Sequence, residues 1–200
     1  MTILPLSYLP SVEYVARLLR EQCVIDVGEH YVKRSERNRA YILSANKVMP
    51  LTVNVVGGNR PRLPMRDVEI DYSKRWQHQH WVSILSAYKS SPYFDHYASR
   101  LQRFYEEEWS SLVEFNLAIL SELCAIAGIP MPEISRSYVE AREGDVDLRP
   151  KQNGSAFYTE PYVQVFADRQ PFVGNLSFID LLFAEGPAAV AVLKRCRPVW

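Results

Sequence analysis

The pattern of apolar and polar positions gives the first quarter of the chain a helix followed by strands. Ser11 is typical of a helix N-cap, and an apolar stripe at helical spacing follows it, formed by Val12, Val15, Leu18 and Leu19. The next apolar run, residues 23–27, is short and ends at Gly28, which predicts a buried strand. Further strands are predicted for residues 39–43, 51–56 and 68–71. Together these runs favour a twisted antiparallel sheet.

A helical period replaces the strand-like pattern after Ser73. Trp76, His80, Ile84 and Tyr88 fall on one face at a spacing of four residues, which predicts a helix. Two more apolar stripes predict helices over residues 94–104 and 112–126, and Gly128 is a typical end for the second.

The C-terminal third is less regular. Residues 130–154 are polar and predict a loop or a weakly paired strand, whereas residues 161–166 predict a last strand. Ser177 and Asp180 form a capping-box pattern for a short helix over 178–184, and Gly186-Pro187 starts another helix that ends near Arg195. We therefore expect one α+β domain over residues 1–200, in which an N-terminal helix and a mostly antiparallel sheet pack against central helices.

Composition narrows the classes of partner. The chain carries 23 basic and 23 acidic residues, so no global field favours nucleic acid. It has neither an apolar run long enough for membrane insertion nor the basic start of a signal peptide, and a cytoplasmic location is expected. Cys23, Cys124 and Cys196 are far apart and lack CxxC spacing, which favours free thiols over a disulfide or metal site.

A basic stretch over residues 30–39 is the first candidate site. It contains Lys33, Arg34, Arg37 and Arg39 with a single acid, Glu36. If the chain is extended here, Arg37 and Arg39 leave the same face of a strand and could hold phosphate or carboxylate bidentately. The alternative is an edge strand protected by charge, and the residues alone leave both open.

The segment around residue 80 is the second candidate. His80 shares its predicted face with Trp76, so it points inward and could transfer protons near neutral pH, or it could be a core histidine with one hydrogen bond. His78 and His80 are two residues apart, which does not suit chelation of one metal on a helix. No metal site is predicted, and no phosphate-loop or dinucleotide-binding motif occurs.

Several stretches in combination resemble the WbqC-like protein family. In chain order they are LPSVEY (9–14), EHYVK (29–33) with RNR (37–39), LTV (51–53), WQHQHW (76–81) with SPYF (91–94), and NLSFIDLLF (175–183) with GP (186–187). The resemblance covers nearly the whole chain. Asn54 departs from it, because the family pattern has proline after Leu-Thr-Val, and this change affects backbone shape more than chemistry.

The resemblance implies a cytoplasmic transferase of bacterial surface-polysaccharide (O-antigen) synthesis, which would transfer glycine or a related group to a sugar from an anionic activated donor. In the transferase hypothesis, His80 or His30 transfers the proton, and of these two the resemblance places His80 at a recurrent position of the family. The expected anion- and substrate-binding residues are Lys33, Arg37, Asn38, Arg39, Trp76 and Tyr93. No cofactor is specified. The alternatives are a non-catalytic sugar- or nucleotide-binding module and an interaction protein that forms a homo-oligomer or assists a partner enzyme.

Overall fold

The computed structural model describes residues 1–150 and 156–199. The strands of these residues are β1 (Thr2–Pro5), β2 (Cys23–Asp26), β3 (Arg39–Leu43), β4 (Val48–Thr52), β5 (Glu133–Ser135), β6 (Val146–Asp147), β7 (Phe157–Tyr158) and β8 (Arg197–Pro198). The helices are α1 (Val12–Arg20), α2 (Trp76–Tyr88), α3 (Phe94–Gln102), α4 (Leu112–Ala127), α5 (Phe178–Glu185) and α6 (Ala189–Leu193). None of the helices in these two ranges is long and apolar enough to cross a membrane.

The largest sheet is parallel and has the strand order β5-β2-β1-β6. Every residue of β1 and β2 is buried, as is usual for parallel strands that are covered on both faces. Helix α1 connects β1 to β2, whereas β6 lies on the other side of β1. The strand order therefore reverses between β1 and β6, and the crevice beyond the carboxyl ends of strands at such a point is where open parallel sheets bind ligands.

The start of α1 lies beside the start of α5. Ser11 and Ser177 form an isolated antiparallel bridge, and the amide of Phe178 donates to the carbonyl of Pro10 over 2.7 Å. The amide of Val12 donates to the carbonyl of Leu176. These bonds join the first and last thirds of the chain next to the reversal point of the sheet.

An antiparallel hairpin, β3–β4, and the helices complete the fold around one contiguous apolar cluster. Helix α4 illustrates the local signals: Ser111 caps its start, and Gly128 ends it with a φ of 64°, which glycine adopts without steric cost.

The predicted α+β class is confirmed, and the helices over 76–88, 94–102, 112–127 and 178–185 lie close to their expected positions. The extent of the predicted antiparallel sheet is wrong. The buried strand predicted over residues 23–27 is present, and its residues 23–26 belong to the parallel sheet. Residues 68–71 form only isolated bridges, such as Glu69 with Ser111.

The strand predicted over 161–166 is also absent from the described structure. There the side chains, rather than a backbone ladder, fix the segment. Tyr162 and Gln164 both donate to the buried carboxylate of Asp180, and the Gln164 side-chain oxygen accepts the amide of Val173. Conversely, the sequence pattern does not predict β1, and the short strands β5 and β6 fall inside the segment predicted to be a loop or a weakly paired strand.

Candidate functional site

A cavity of about 190 Å³ lies beyond the carboxyl ends of β1 and β6. Its walls come from the segment after β1, from the first turn of α1, from the start of β3 and from the loop before α5. Leu148 follows β6 and lines the same cavity. The cavity therefore occupies the crevice in which the sheet topology predicts a ligand.

Asn175 holds the first turn of α1 against the cavity. Its Oδ1 accepts the amide of Glu13 at 2.9 Å, and its Nδ2 donates to Glu13 Oε2 at 3.2 Å. The φ of Asn175 is 55°, a left-handed conformation that asparagine tolerates better than most residues. Arg17, one turn further along α1, donates to the other oxygen of the Glu13 carboxylate. These contacts fix the side chain of Glu13 in the cavity wall.

Glu36 lies in the same cavity without such partners. Its backbone carbonyl accepts the amide of Tyr8 at 2.8 Å, which fixes the backbone of the residue. Its carboxyl faces the cavity and has no hydrogen bond or ion pair with any other part of the described chain. Glu36 is exposed to solvent on one side, but desolvation by the surrounding protein raises the pKa of its carboxyl to about 7, the charge of Glu13 raises it further, and Arg37 opposes both. Such a carboxyl can accept or donate a proton near neutral pH.

Arg37 does not line the main cavity and instead forms a buried ion pair with Glu29. Its Nε donates to Glu29 Oε1 at 2.8 Å, its Nη2 donates to the second oxygen of the same carboxylate, and only 2% of its side chain is exposed. Ser35 and the carbonyl of Arg149 accept the remaining bonds. Because Arg37 also precedes β3, the expected clamp of Arg37 and Arg39 on one strand face does not form.

The other residues of the basic stretch lie in different parts of the surface. Arg39 lines the main cavity, and its Nε donates to Thr52 Oγ1 on the neighbouring strand at 2.9 Å. Lys33 is exposed in a different concavity, where its Nζ donates to Asn59 Oδ1. His30 is exposed and forms an isolated backbone bridge with Pro64.

His80 belongs to a buried aromatic cluster. Its Nδ1 lies 2.9 Å from the hydroxyl of Tyr8, which lies 2.8 Å from the hydroxyl of Tyr105. Burial lowers the pKa of His80 to about 4, with a backbone hydrogen bond at Thr52 opposing the shift, so the ring is neutral at pH 7. Tyr8 lines the main cavity, and His80 borders it only through Tyr8. Trp76 packs edge-on against His80 and is 1% exposed.

Neither Asn38 nor Tyr93 lines the main cavity. Asn38 is buried, its Nδ2 donates to the carbonyl of Val53, and its Oδ1 has no partner among the described atoms. Tyr93 packs against Gly186, where an added Cβ would come within 2.4 Å of the ring. Tyr93 therefore fits a role in packing α3 against α5 rather than contact with the cavity.

The sequence pattern did not identify Glu13, Glu36 or Asn175 as site residues. In the sequence, Glu36 is only the single acid of a basic stretch, because the lack of a hydrogen-bond or ion-pair partner for its carboxyl among the described residues is visible only in three dimensions. A usable signal did exist for the other two: Glu13 and Asn175 lie in the first and last stretches of the family resemblance, and those stretches meet at the cavity. Within residues 1–150 and 156–199, no group of His, Cys, Asp and Glu is arranged to hold a metal ion.

Comparison with known proteins identifies one family. The model of the WbqC-like protein family matches residues 7–156, three quarters of the chain, and the chain therefore belongs to this family. No curated protein and no solved structure gives a significant match.

Proposed function

We propose that this member of the WbqC-like family is a transferase that moves an acyl or related group onto a hydroxyl or amine of a sugar, with Glu36 as the general base. The observation that carries the proposal is the unpartnered Glu36 carboxyl in the cavity at the reversal point of the parallel sheet. The family resemblance adds the context of bacterial surface-polysaccharide synthesis, with glycine as one group of the required class.

The lining of the cavity favours an uncharged or amine-bearing acceptor over a phosphate. Two carboxylates, Glu13 and Glu36, face one arginine, Arg39, among the lining residues. Ser7 and Ser11 add hydroxyl groups, which suit the many hydroxyls of a sugar. The charged part of an activated donor would therefore lie outside this cavity.

The reaction follows from the state of Glu36. In its ionised form, the carboxylate accepts the proton of the attacking hydroxyl or amine while the new bond to the carbonyl carbon forms. The bond from that carbon to the leaving group then breaks, and Glu36 returns the proton to the leaving group. The fixed walls would hold the nucleophile in line, which can supply a large part of the rate.

Binding is tested first, by thermal shift with glucosamine, N-acetylglucosamine and their nucleotide-linked forms, because a ligand of the native state raises its stability. Turnover of a sugar that binds is then followed by mass spectrometry with glycyl thioester and glycyl adenylate as donors. We expect Glu36→Gln to lower kcat about 100-fold or more, with sugar affinity nearly unchanged. The kcat of the parent protein should rise as the pH increases through about 7.

Glu143→Gln is the matched control, since it makes the same change at an exposed loop position. Full turnover by Glu36→Gln would exclude the general-base role. Sugar binding without turnover from any donor would instead support the alternative, a non-catalytic sugar-binding module, because the same cavity could serve either role.

A further inference from the structure

A second concavity lies between two basic loops, residues 28–35 and 57–66. The amide of Tyr31 donates to the carbonyl of Leu63 at 2.8 Å, and the amide of Met65 donates to the carbonyl of Glu29 at 2.9 Å. The loops are thus held side by side. Their lysine and arginine residues are Lys33, Arg34, Arg60, Arg62 and Arg66, whereas Glu29 is their only acid.

Little of this positive charge is neutralised within the protein. Glu29 is occupied by Arg37, and Arg66 has only a long, exposed contact of 3.8 Å with Asp67. Lys33, Arg34, Arg60 and Arg62 form no ion pair with the residues that the structure describes. The chain has no net charge, so this local excess is a property of the two loops and not of the whole molecule.

The concavity between the loops has a volume of about 280 Å³. Lys33, Arg34 and Asn38 line it together with Tyr31 and Asn59. Asn38 is 4% exposed, and its amide oxygen lacks a partner in the described structure, as noted above. A buried acceptor of this kind is costly unless a ligand donates to it, which a sugar hydroxyl can do.

The backbone at Arg34 supports a ligand-binding role for this concavity. Its φ is 55°, a left-handed conformation that is unusual for a residue with a long side chain. Such conformations are concentrated at binding sites, where the surrounding structure maintains them. At this position the conformation places an arginine in the wall of two adjoining concavities.

Arg34 connects the basic concavity to the main cavity. It lines both the basic concavity and a smaller one of about 120 Å³, which contains Glu36, Tyr41 and Leu148 in its wall. The same three residues also line the main cavity. Residues 33–41 therefore contribute to the walls of all three spaces, with Lys33 in the basic concavity and Glu36 in the main cavity.

We propose that the concavity lined by Lys33, Arg34 and Asn38 binds the diphosphate of a diphosphate-linked sugar. Lys33 and Arg34 neutralise the phosphate oxygens, and Asn38 Oδ1 accepts a hydroxyl of the adjoining sugar. The inference rests on the proposed function in one respect. It places the diphosphate of the sugar substrate next to the cavity that holds the reacting hydroxyl or amine of that sugar.

The subsite is tested by calorimetry with inorganic pyrophosphate, which needs no turnover. We expect the protein to bind pyrophosphate and the double variant Lys33→Gln, Arg34→Gln to weaken that binding about tenfold or more. Lys74→Gln with Arg75→Gln is the matched control, since it removes an exposed Lys-Arg pair at the start of α2, and its affinity should match the parent. Affinity should also fall as salt increases.

Absence of pyrophosphate binding, or equal losses in both double variants, would overturn the proposal. Glu36→Gln keeps Lys33, Arg34 and Asn38 and removes no positive charge, so it should not weaken pyrophosphate binding, and failure of the general-base role and failure of the subsite are separate outcomes. Uridine diphosphate and geranyl diphosphate then distinguish the source of the phosphate, because tighter binding of the first indicates a nucleotide-linked sugar and of the second a lipid-linked sugar. Circular dichroism of each variant confirms that the fold is retained.

Discussion

Glu29 and Glu36 are seven residues apart in the sequence and have opposite surroundings. Glu29 is buried and receives two hydrogen bonds from Arg37, which also donates to Ser35 and to the carbonyl of Arg149. Glu36 faces the main cavity and has no partner in the described structure. Glu29 is buried and Glu36 is exposed, yet desolvation by the surrounding protein raises the pKa of both carboxyls, and the direct contact with Arg37 opposes the rise at Glu29.

The difference shows how one charged segment serves two purposes. A buried carboxylate that is fully hydrogen-bonded stabilises one arrangement of the chain and is unavailable for chemistry. A carboxyl that is desolvated but left without a partner destabilises the folded state when ionised, and it is ready to bind a ligand or a proton. Arg37 therefore fixes the loop from which Glu36 projects, and Glu36 faces the cavity.

The largest loss of stability is expected when the buried ion pair between Arg37 and Glu29 is broken. Arg37→Ala leaves the Glu29 carboxylate buried without a counter-charge, which should cost about 3–5 kcal/mol of unfolding free energy. Urea denaturation at pH 7 measures the loss. Arg34→Ala, an exposed change in the same loop, should cost less than about 0.5 kcal/mol.

Replacing both partners sharpens the interpretation. The double variant Glu29→Leu, Arg37→Met removes the charge and fills similar space, so it should recover part of the stability lost in Arg37→Ala. Full recovery is not expected, since Arg37 also donates to Ser35 and to the carbonyl of Arg149. A cost below about 1 kcal/mol for Arg37→Ala would contradict the buried pair.

An intermediate loss of stability is expected from a change at Tyr8, which lines the main cavity and also hydrogen-bonds with His80 and Tyr105 in the core. Tyr8→Phe keeps the ring that stacks on Phe115 but removes the hydroxyl shared by His80 and Tyr105. His80 Nδ1 is then buried without a hydrogen-bond partner, at a cost of about 1–2 kcal/mol in chemical denaturation. Tyr41→Phe is the control, because Tyr41 lines the same cavity with an exposed side chain, and equal losses in the two variants would argue against the buried chain of hydrogen bonds.

The sequence predicted the parts of the fold that depend on local pattern. The positions of α2 and α4 follow from apolar stripes and caps that are complete within each segment. The parallel sheet could not be inferred in this way: β1 has four residues, β6 has two, and Thr2 pairs with Val146 far along the chain. Short strands without a period of their own are defined by their partners.

The same limit applies to the site. The sequence predicted a candidate site in the stretch over residues 30–39, and residues of this stretch line the main cavity and the basic concavity. The roles within it were not predictable, because charge density alone does not show that Arg37 meets Glu29 or that Glu36 meets nothing. His80 was expected to point inward, and it does, but only the structure shows that Tyr8 separates it from the cavity.

The smallest effect on stability is expected from the unpaired carboxyl of Glu36. The folded pKa of Glu36 is about 7, above its ordinary value of 4.5, so between these values the folded state holds a proton that the unfolded state has lost. Stability contributed by this group is therefore present below pH 4.5 and is lost as the pH rises through 7. For a sealed group the loss would be about 3 kcal/mol, but Glu36 faces an open cavity, and screening reduces it to about 1 kcal/mol.

Glu36→Gln removes this penalty, so the variant should gain about 1 kcal/mol over the parent at pH 8 and show no gain at pH 4. The charged groups that set this behaviour are Glu13 on α1, which raises the pKa, and Arg37, which lowers it. Urea denaturation of both proteins from pH 4 to 8 measures the difference, and Glu143→Gln should follow the parent throughout. A difference that stays constant across this range would mean that Glu36 titrates normally, and the contrast between Glu36 and Glu29 would then rest on hydrogen bonding alone.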